Sequence, residues 1–409
     1  MNEFLSAREA CARLGIKPET LYAYVSRGLV RSLAPEHGRL RRYLAHDITL
    51  LKTRHEARSG HAPVAAAALR WGQPVMDTAI TAITDDGPRY RGKNAVELAR
   101  AGTTFETVAT LLWTGSLGDS CRSFRADARV ELVEAVADAL AKDESRIAVL
   151  PSLVARMALA DSGRAAPTER RDLDRAWTIA STFAIAVALP GPLVRVRKAA
   201  RASSISGAVA LALGGSQSTE AVRALDAALV LSADHELNIS AFAARVAASG
   251  GADLYACIGG ALAAFSGPAH GAAALRVEAM VAELGSARSL GARLRERARR
   301  GDAVFGFGHP LYPAGDPRGR FLLDLAHAAS PRAPAVRTLV ALARAMASDG
   351  RDGPNLDAGL VAVAAALGLH PGSGSALFAI GRTAGWVAHV LEQRASPDLL
   401  RPRARYVGA

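Results

Sequence analysis

Helical runs, in which apolar residues return every third or fourth position, fill most of this chain. Short clusters of small and polar residues break them, at 102–103 (Gly-Thr), 163–167 (Gly-Arg-Ala-Ala-Pro), 214–216 (Gly-Gly-Ser) and 249–253 (Ser-Gly-Gly-Ala-Asp). Strand signals are confined to Ala79–Ile83 and Pro88–Tyr90, on either side of Asp85, Asp86 and Gly87, and predict one small hairpin. Near the start, residues 6–14 and 18–27 predict two short helices, joined by the turn Gly15-Ile16-Lys17, with Pro18 suited to a first helical position. A turn at 35–38 (Pro-Glu-His-Gly) and Arg41-Arg42-Tyr43 then lead to a helix starting near Asp47. This is helix-turn-helix spacing with a wing-like excursion. The small, turn-prone stretch 59–63 (Ser-Gly-His-Ala-Pro) reads as a linker, so the pattern predicts a module at 1–58 and one long helical unit at 64–409.

Composition supports that division. At 409 residues the chain is long enough for two or three buried cores, and 50% hydrophobic residues make it globular rather than disordered. Abundant Ala, Leu and Arg with only 5% aromatic residues favour helix, so the expected fold class is all-α. A formal charge of +12 and a pI near 10.2 suit nucleic acid, a membrane surface or anionic metabolites without selecting among them. Basic residues cluster as Arg39, Arg41, Arg42, Lys52, Arg54 and Arg58, and again as Arg293, Arg295, Arg297, Arg299 and Arg300, patterns that solvated helix faces also produce. Cys11, Cys121 and Cys257 lie far apart, which argues against a disulfide framework or a zinc site and fits a reducing cytoplasm. The opening residues carry no signal pattern, and the apolar stretches near Gly259 and Val361 fall short of a membrane span, so a soluble cytoplasmic protein is expected.

The residues fitted for chemistry stand in loops within the apolar unit. His270 lies in Ser266-Gly267-Pro268-Ala269-His270-Gly271, and His309 in Phe305-Gly306-Phe307-Gly308-His309-Pro310. Glycine beside a histidine lets backbone approach a ligand, so the ring is presented rather than packed. A third group, Asp234-His235-Glu236 with Asn238, interrupts an otherwise apolar segment. Asp316-Pro317-Arg318, Asn355-Leu356-Asp357 and Gly381-Arg382 follow. Taken singly, each histidine also has a structural reading, Asp357 one as a helix cap and Arg318 one as a solvated surface charge.

Taken in order, these motifs resemble the citrate synthase family. The resemblance runs from about Asp77 to Gly408. It includes Arg89-Tyr90-Arg91-Gly92, Asp-His-Glu, Gly-Pro-x-His-Gly, Gly-Phe-Gly-His with Asp-Pro-Arg downstream, Pro-Asn-Leu-Asp, Gly-Arg-x-x-Gly-Trp-x-Ala-His and the terminal Arg-Pro-Arg. Phe4 to Leu29 resembles the MerR-like winged helix-turn-helix family over about the first 55 residues. There the exposed Lys17, Glu19, Thr20, Tyr24 and Arg27 would face a major groove and the wing arginines phosphates. Such a module also serves as a docking element for its own chain or another subunit.

The resemblance implies large and small helical domains, the small one at roughly 235–340, and condensation of acetyl-CoA or propionyl-CoA with oxaloacetate. Acyl-CoA is a substrate, and no cofactor or metal is expected. Removing a very weakly acidic proton from a thioester methyl needs a base on one side and a hydrogen-bond donor to the thioester oxygen on the other. The resemblance assigns the base to Asp357, the donor to His270, and polarisation of the keto group to His309. Carboxylates of the oxo acid call for bidentate cations, here Arg318, Arg382 and Arg401 beside His235. Arg401 would reach the other subunit's site, which implies a homodimer.

Ala272 and Ala274 replace a glycine and an asparagine of the family pattern, and Pro310 and Pro313 stand where an arginine and a lysine are frequent. Two cations for CoA phosphates are thereby lost, with Arg297, Arg299, Arg300 and Arg320 as nearby substitutes. The rival expectation is a DNA-binding regulator that uses a degenerate synthase domain as a metabolite sensor.

Overall fold

The computed structural model describes residues 4–33, 41–45, 47–49, 51, 76–118, 128–141, 144–286, 288–348, 350, 352–402 and 406. The expected linker at 59–63, the turn at 35–38, Arg39, Lys52, Arg54, Arg58 and Cys121 lie outside them. The chain divides into two compact units, Met1–Asp77 and Thr78–Ala409.

In the first unit, helices Ala7–Leu14 and Pro18–Ser26 form where the pattern put them. Ser6 and Glu9 make a capping box, satisfying free amides at the first helix start, and Gly15 ends that helix at φ 63°. Leu5, Ala10, Leu21, Val30, Tyr43 and Ile48 form a small core of their own. Three strands, Phe4–Ser6, Ser32–Leu33 and Arg42–Leu44, pair antiparallel with the last in the middle. The sequence pattern did not announce them, because two or three residues are too few to show alternation. Asp47 fastens the core's edge by accepting the backbone amide of Arg31 at 2.8 Å and its guanidinium at 3.1 Å twice. On the second helix Lys17, Glu19 and Arg27 are exposed as expected, whereas Thr20 and Tyr24 are half-buried. Tyr24 packs against the core, so the exposed tyrosine of that helix is Tyr22.

The second unit opens on the expected hairpin, Thr81–Thr84 paired with Gly87–Tyr90, extended by Lys93–Asn94. Helices make up most of the rest among the described residues. The 23-residue helix Ser373–Ala395 runs through the core with nearly every position up to Val390 buried. Its interior is mostly hydrophobic or small, with Arg382 and His389 buried among those residues, and the glycines at 381 and 385 let other backbone lie against it. A Cβ on Gly381 would stand 2.6 Å from the Leu229 carbonyl, on helix Thr219–Ser232. Helices Pro317–Ala329 and Leu356–Ala366 approach as closely, since a Cβ on Gly319 would meet the Asn355 carbonyl at 2.2 Å and one on Gly359 would meet Leu322 at 2.8 Å. The apolar stretches near Gly259 and Val361 are helices Leu254–Phe265 and Leu356–Ala366, and no described helix is long and apolar enough to cross a membrane. Cys11 and Cys257 are free thiols.

Candidate active site

A short backbone ladder joins two of the expected motifs. The Gly308 amide donates to the Gly353 carbonyl and the Asn355 amide to the Gly306 carbonyl, each at 2.9 Å, while the Asn355 side chain donates to the Gly308 carbonyl at 3.1 Å. Gly306 is at φ 81° with Val277 2.9 Å from where its Cβ would be, so glycine is required there. The ladder sets His309 beside the start of helix Leu356–Ala366. Asn355 caps that helix, accepting the amides of Asp357 and Ala358. Asp357 is thereby released from the capping role that the sequence left open. Its Oδ1 is buried without a hydrogen-bond donor. Burial pushes the carboxyl up to about 7, against the pull of Arg318 and with a push from Asp316.

Arg318 is not a surface charge. It is 2% exposed and held by Asp316 through Nε at 3.0 Å and Nη2 at 2.9 Å. Asp316 caps helix Pro317–Ala329 and also accepts the Leu356 amide at 3.2 Å, which fastens the two helix starts together. Arg382 is 1% exposed, donates Nε to the Ser232 carbonyl at 2.8 Å and lies 4.7 Å from the Phe378 ring centroid. Burial lowers its pKa to about 10, with Asp234 opposing, so it stays cationic at neutral pH.

The three histidines are neutral bases, His235 buried and His270 and His309 half-buried. His235 Nε2 meets the Tyr312 hydroxyl at 2.9 Å, and its ring stands 4.9 Å from that of His309. Burial, helped by the charges of Arg318, His309, Arg382 and His270, holds His235 well below the ordinary imidazole range. His309 falls to about 4 through burial and Arg318. Its Nδ1 accepts the Leu311 amide at 3.1 Å, so the neutral ring carries its proton on Nε2. His270 falls to about 3 through burial and Arg382. Its Nε2 lies 2.7 Å from Ser240 Oγ, which also accepts Trp386 Nε1 at 2.9 Å. Phe378 faces both His270, at 5.7 Å, and Arg382, which draws the histidine and arginine groups into one site.

Six of the seven residues singled out from the sequence thus share one electrostatic neighbourhood: His235, His270, His309, Arg318, Asp357 and Arg382. Arg401 is exposed. Among the described residues no group of His, Cys, Asp or Glu is arranged to hold a metal.

Residues 68–403 match the family described as citrate synthase, C-terminal domain, and residues 5–68 match the MerR HTH family regulatory protein. The chain belongs to the citrate synthase family. It is 33% identical over 343 residues to the putative citrate synthase 2 of Mycobacterium tuberculosis, covering 78% of this chain and 86% of that one. It is 30% identical over 342 residues to the citrate synthase of Haloferax volcanii, covering 78% and 89%. Among solved structures, citrate synthase from Thermotoga maritima superposes with a TM-score of 0.70 at 28% identity, covering 83% of this chain and 94% of that one. The ternary complex of the Thermoplasma acidophilum citrate synthase with carboxymethyl coenzyme A and oxaloacetate superposes equally, at 0.70 and 26% identity, covering 82% and 94%.

In this citrate synthase-family site, Tyr312 and Ser240 were not legible beforehand, and Trp386 stood in a quoted motif without a role. Tyr312 follows His309 by three residues, the one local signal that could have drawn it in. Ser240 and Trp386 touch each other across 146 positions of sequence, which no local pattern reports. Two suggested substitutes for the missing cations are otherwise engaged. Arg297 and Arg300 both pair with Glu283, and Arg297 is buried at 6% exposure. Arg299 and Arg320 remain exposed.

Proposed function

We propose that this chain is an active citrate synthase-type acyltransferase that condenses acetyl-CoA or propionyl-CoA with oxaloacetate and water to give citrate or 2-methylcitrate and free CoA. The observation that carries this reading is a carboxyl poised at about 7 beside neutral histidines and two buried arginines. A base near the working pH can take a proton and return it. Asp357 removes the α-proton of the thioester. His270 donates to the thioester oxygen as the enol forms. Ser240 Oγ stands 2.8 Å from Asn238 Oδ1 and 2.7 Å from His270 Nε2, and in the reacting state its proton turns to His270 Nε2, which puts the ring's own proton on Nδ1. The enol carbon attacks the ketone carbon of oxaloacetate, a C–C bond forms, and the carbonyl electron pair becomes an alkoxide that His309 Nε2–H stabilises. Water then cleaves the thioester and releases CoA as thiol. Arg318, Arg382 and His235 hold the carboxylates, with Arg401 of a second copy completing the site. The enzyme works as a cytoplasmic homodimer, with residues at roughly 235–340 forming a small subdomain of the 64–409 unit. Ile239 and Val246, exposed by 59% and 40% and two turns apart on helix Ile239–Ser249, support an apolar subunit contact.

Purified protein given oxaloacetate and either acyl-CoA is expected to release thiol, detected with a chromogenic disulfide. No release with either, from folded dimer, rejects the reading.

The match of residues 5–68 favours a second role beside catalysis, DNA binding by the amino-terminal unit. Its expected signature is a duplex complex whose affinity falls steeply with salt, and no complex at low ionic strength would reject it.

A further inference from the structure

Behind the carboxylate-binding residues lies a pair that no step above uses. Asp234 and His389 are both at 0% exposure, with Asp234 Oδ1 3.3 Å from His389 Nε2. Neither carboxylate oxygen and neither ring nitrogen has a well-aligned hydrogen bond among the described residues; His389 is the first group beside the Asp234 carboxylate, with Arg382 and the buried Thr81 hydroxyl after it. A carboxylate so deeply buried is tolerated only with a cation or donor beside it. Burial alone would raise the Asp234 carboxyl, but His389 first and Arg382 after it bring it below the ordinary range.

The surroundings show why the pair stands where it does. Arg382, Gly385 and His389 occupy one face of helix Ser373–Ala395, and the segment 232–235 lies along that face. Arg382 Nε donates to the Ser232 carbonyl at 2.8 Å, the Gly385 amide to the Ala233 carbonyl at 2.9 Å, and His389 meets the Asp234 side chain. A Cβ on Gly385 would stand 2.4 Å from Asp234 Oδ1, so only glycine admits the carboxylate here. On the other side the Tyr90 hydroxyl accepts the Asp234 amide at 3.3 Å and lies 3.2 Å from its carbonyl oxygen. Asp234 is thus gripped at side chain and backbone. The next residue is His235, and the chain turns sharply after it, Glu236 standing at φ 54°.

We propose that Asp234 and His389 form a positioning pair for the carboxylate site, fixing where the His235 ring and the Arg382 guanidinium stand when the 2-oxo dicarboxylate binds. The pair touches no reacting atom. It acts on the oxo acid and not on the thioester, because both residues it places serve the former. The inference rests on the assignment of His235 and Arg382 to that substrate.

Steady-state thiol release by the full chain, with KM measured separately for oxaloacetate and acyl-CoA, tests it. His389→Leu is expected to raise the oxaloacetate KM by about tenfold or more, in line with the sensitivity of such sites to displacements near 1 Å. The acyl-CoA KM should stay within about twofold of the parent. His389→Gln, which returns an N–H near the position of Nε2, should recover most of the loss. If His389→Leu does not fold, the double variant Asp234→Asn/His389→Leu, which leaves no bare carboxylate, carries the same expectation. An unchanged oxaloacetate KM, equal rises in both KM values, no recovery in His389→Gln, or failure of the double variant to fold overturns the proposal. Arg382→Lys is the control: if it too leaves the oxaloacetate KM unchanged, the assignment of the carboxylate site fails, whereas an effect there without one at His389 sinks only the positioning pair.

Discussion

At the scale of single residues, the site is governed by which groups burial leaves neutral. Asp357 stands at about 7, so its basic form is lost as the pH falls through that value, and kcat/KM should decline below about pH 7. The same shift bears on stability with the opposite sign. A carboxyl raised above its unfolded value favours the folded state at low pH, and that contribution is lost as pH rises from about 4 through about 7. Asp357→Asn is therefore expected to have a higher Tm than the parent at pH 8, with the difference closing near pH 4, and at least about a hundredfold less thiol release. Thermal unfolding at both pH values, with assays of the same samples, checks both halves. Near-parental activity would remove Asp357 from the role of base. The sequence could nominate this aspartate but could not choose between base and helix cap, because the choice depends on Asn355 taking the free amides.

Helices and loops cooperate through close approaches that glycine permits. The site depends on helix Pro317–Ala329 lying against helix Leu356–Ala366, since Asp316 at the start of one holds Arg318 and also the Leu356 amide of the other. Gly319→Ala would put a methyl carbon 2.2 Å from the Asn355 carbonyl oxygen, and backbone there cannot yield as a flexible side chain would. We expect a loss of about 1–3 kcal/mol of stability, and reduced activity even where the protein remains folded, because Asp357 moves with Asn355. Denaturant unfolding and the thiol assay report the two effects, and a parental unfolding midpoint would contradict the tight packing. At this scale the sequence was informative about helix positions. Gly and Pro punctuate the chain locally, so the predicted breaks at 102–103, 163–167, 214–216 and 249–253 coincide with helix ends. It was blind to the three short strands of the first unit and to the inward turn of Tyr24, both products of packing.

For the whole molecule, the exposed Arg401 bears on assembly, because its motif is expected to serve the site of a second copy. If it completes the site of a second copy, Arg401→Ala and Asp357→Ala homodimers will each be impaired while a mixed dimer carries one intact site. Mixing the two after dissociation and reassociation should restore a measurable share of parental activity, whereas no recovery in a confirmed mixed dimer would return Arg401 to a role within its own chain. The two compact units also correspond to two family matches, a small helix-turn-helix core similar to MerR family proteins and a helical unit of the citrate synthase family.

The amino-acid sequence by itself determined the helical class, the order of the motifs and the residue types able to enolise a thioester, because periodicity, glycine placement and side-chain chemistry are local properties. Only the tertiary structure decided that Asp357 has a buried carboxylate oxygen and no capping role, and that Arg318 is gripped by Asp316. It alone spent Arg297 and Arg300 on Glu283 and enlisted Tyr312, Ser240 and Trp386. Those outcomes turn on desolvation and on neighbours far away in sequence, which exist only once the chain has folded.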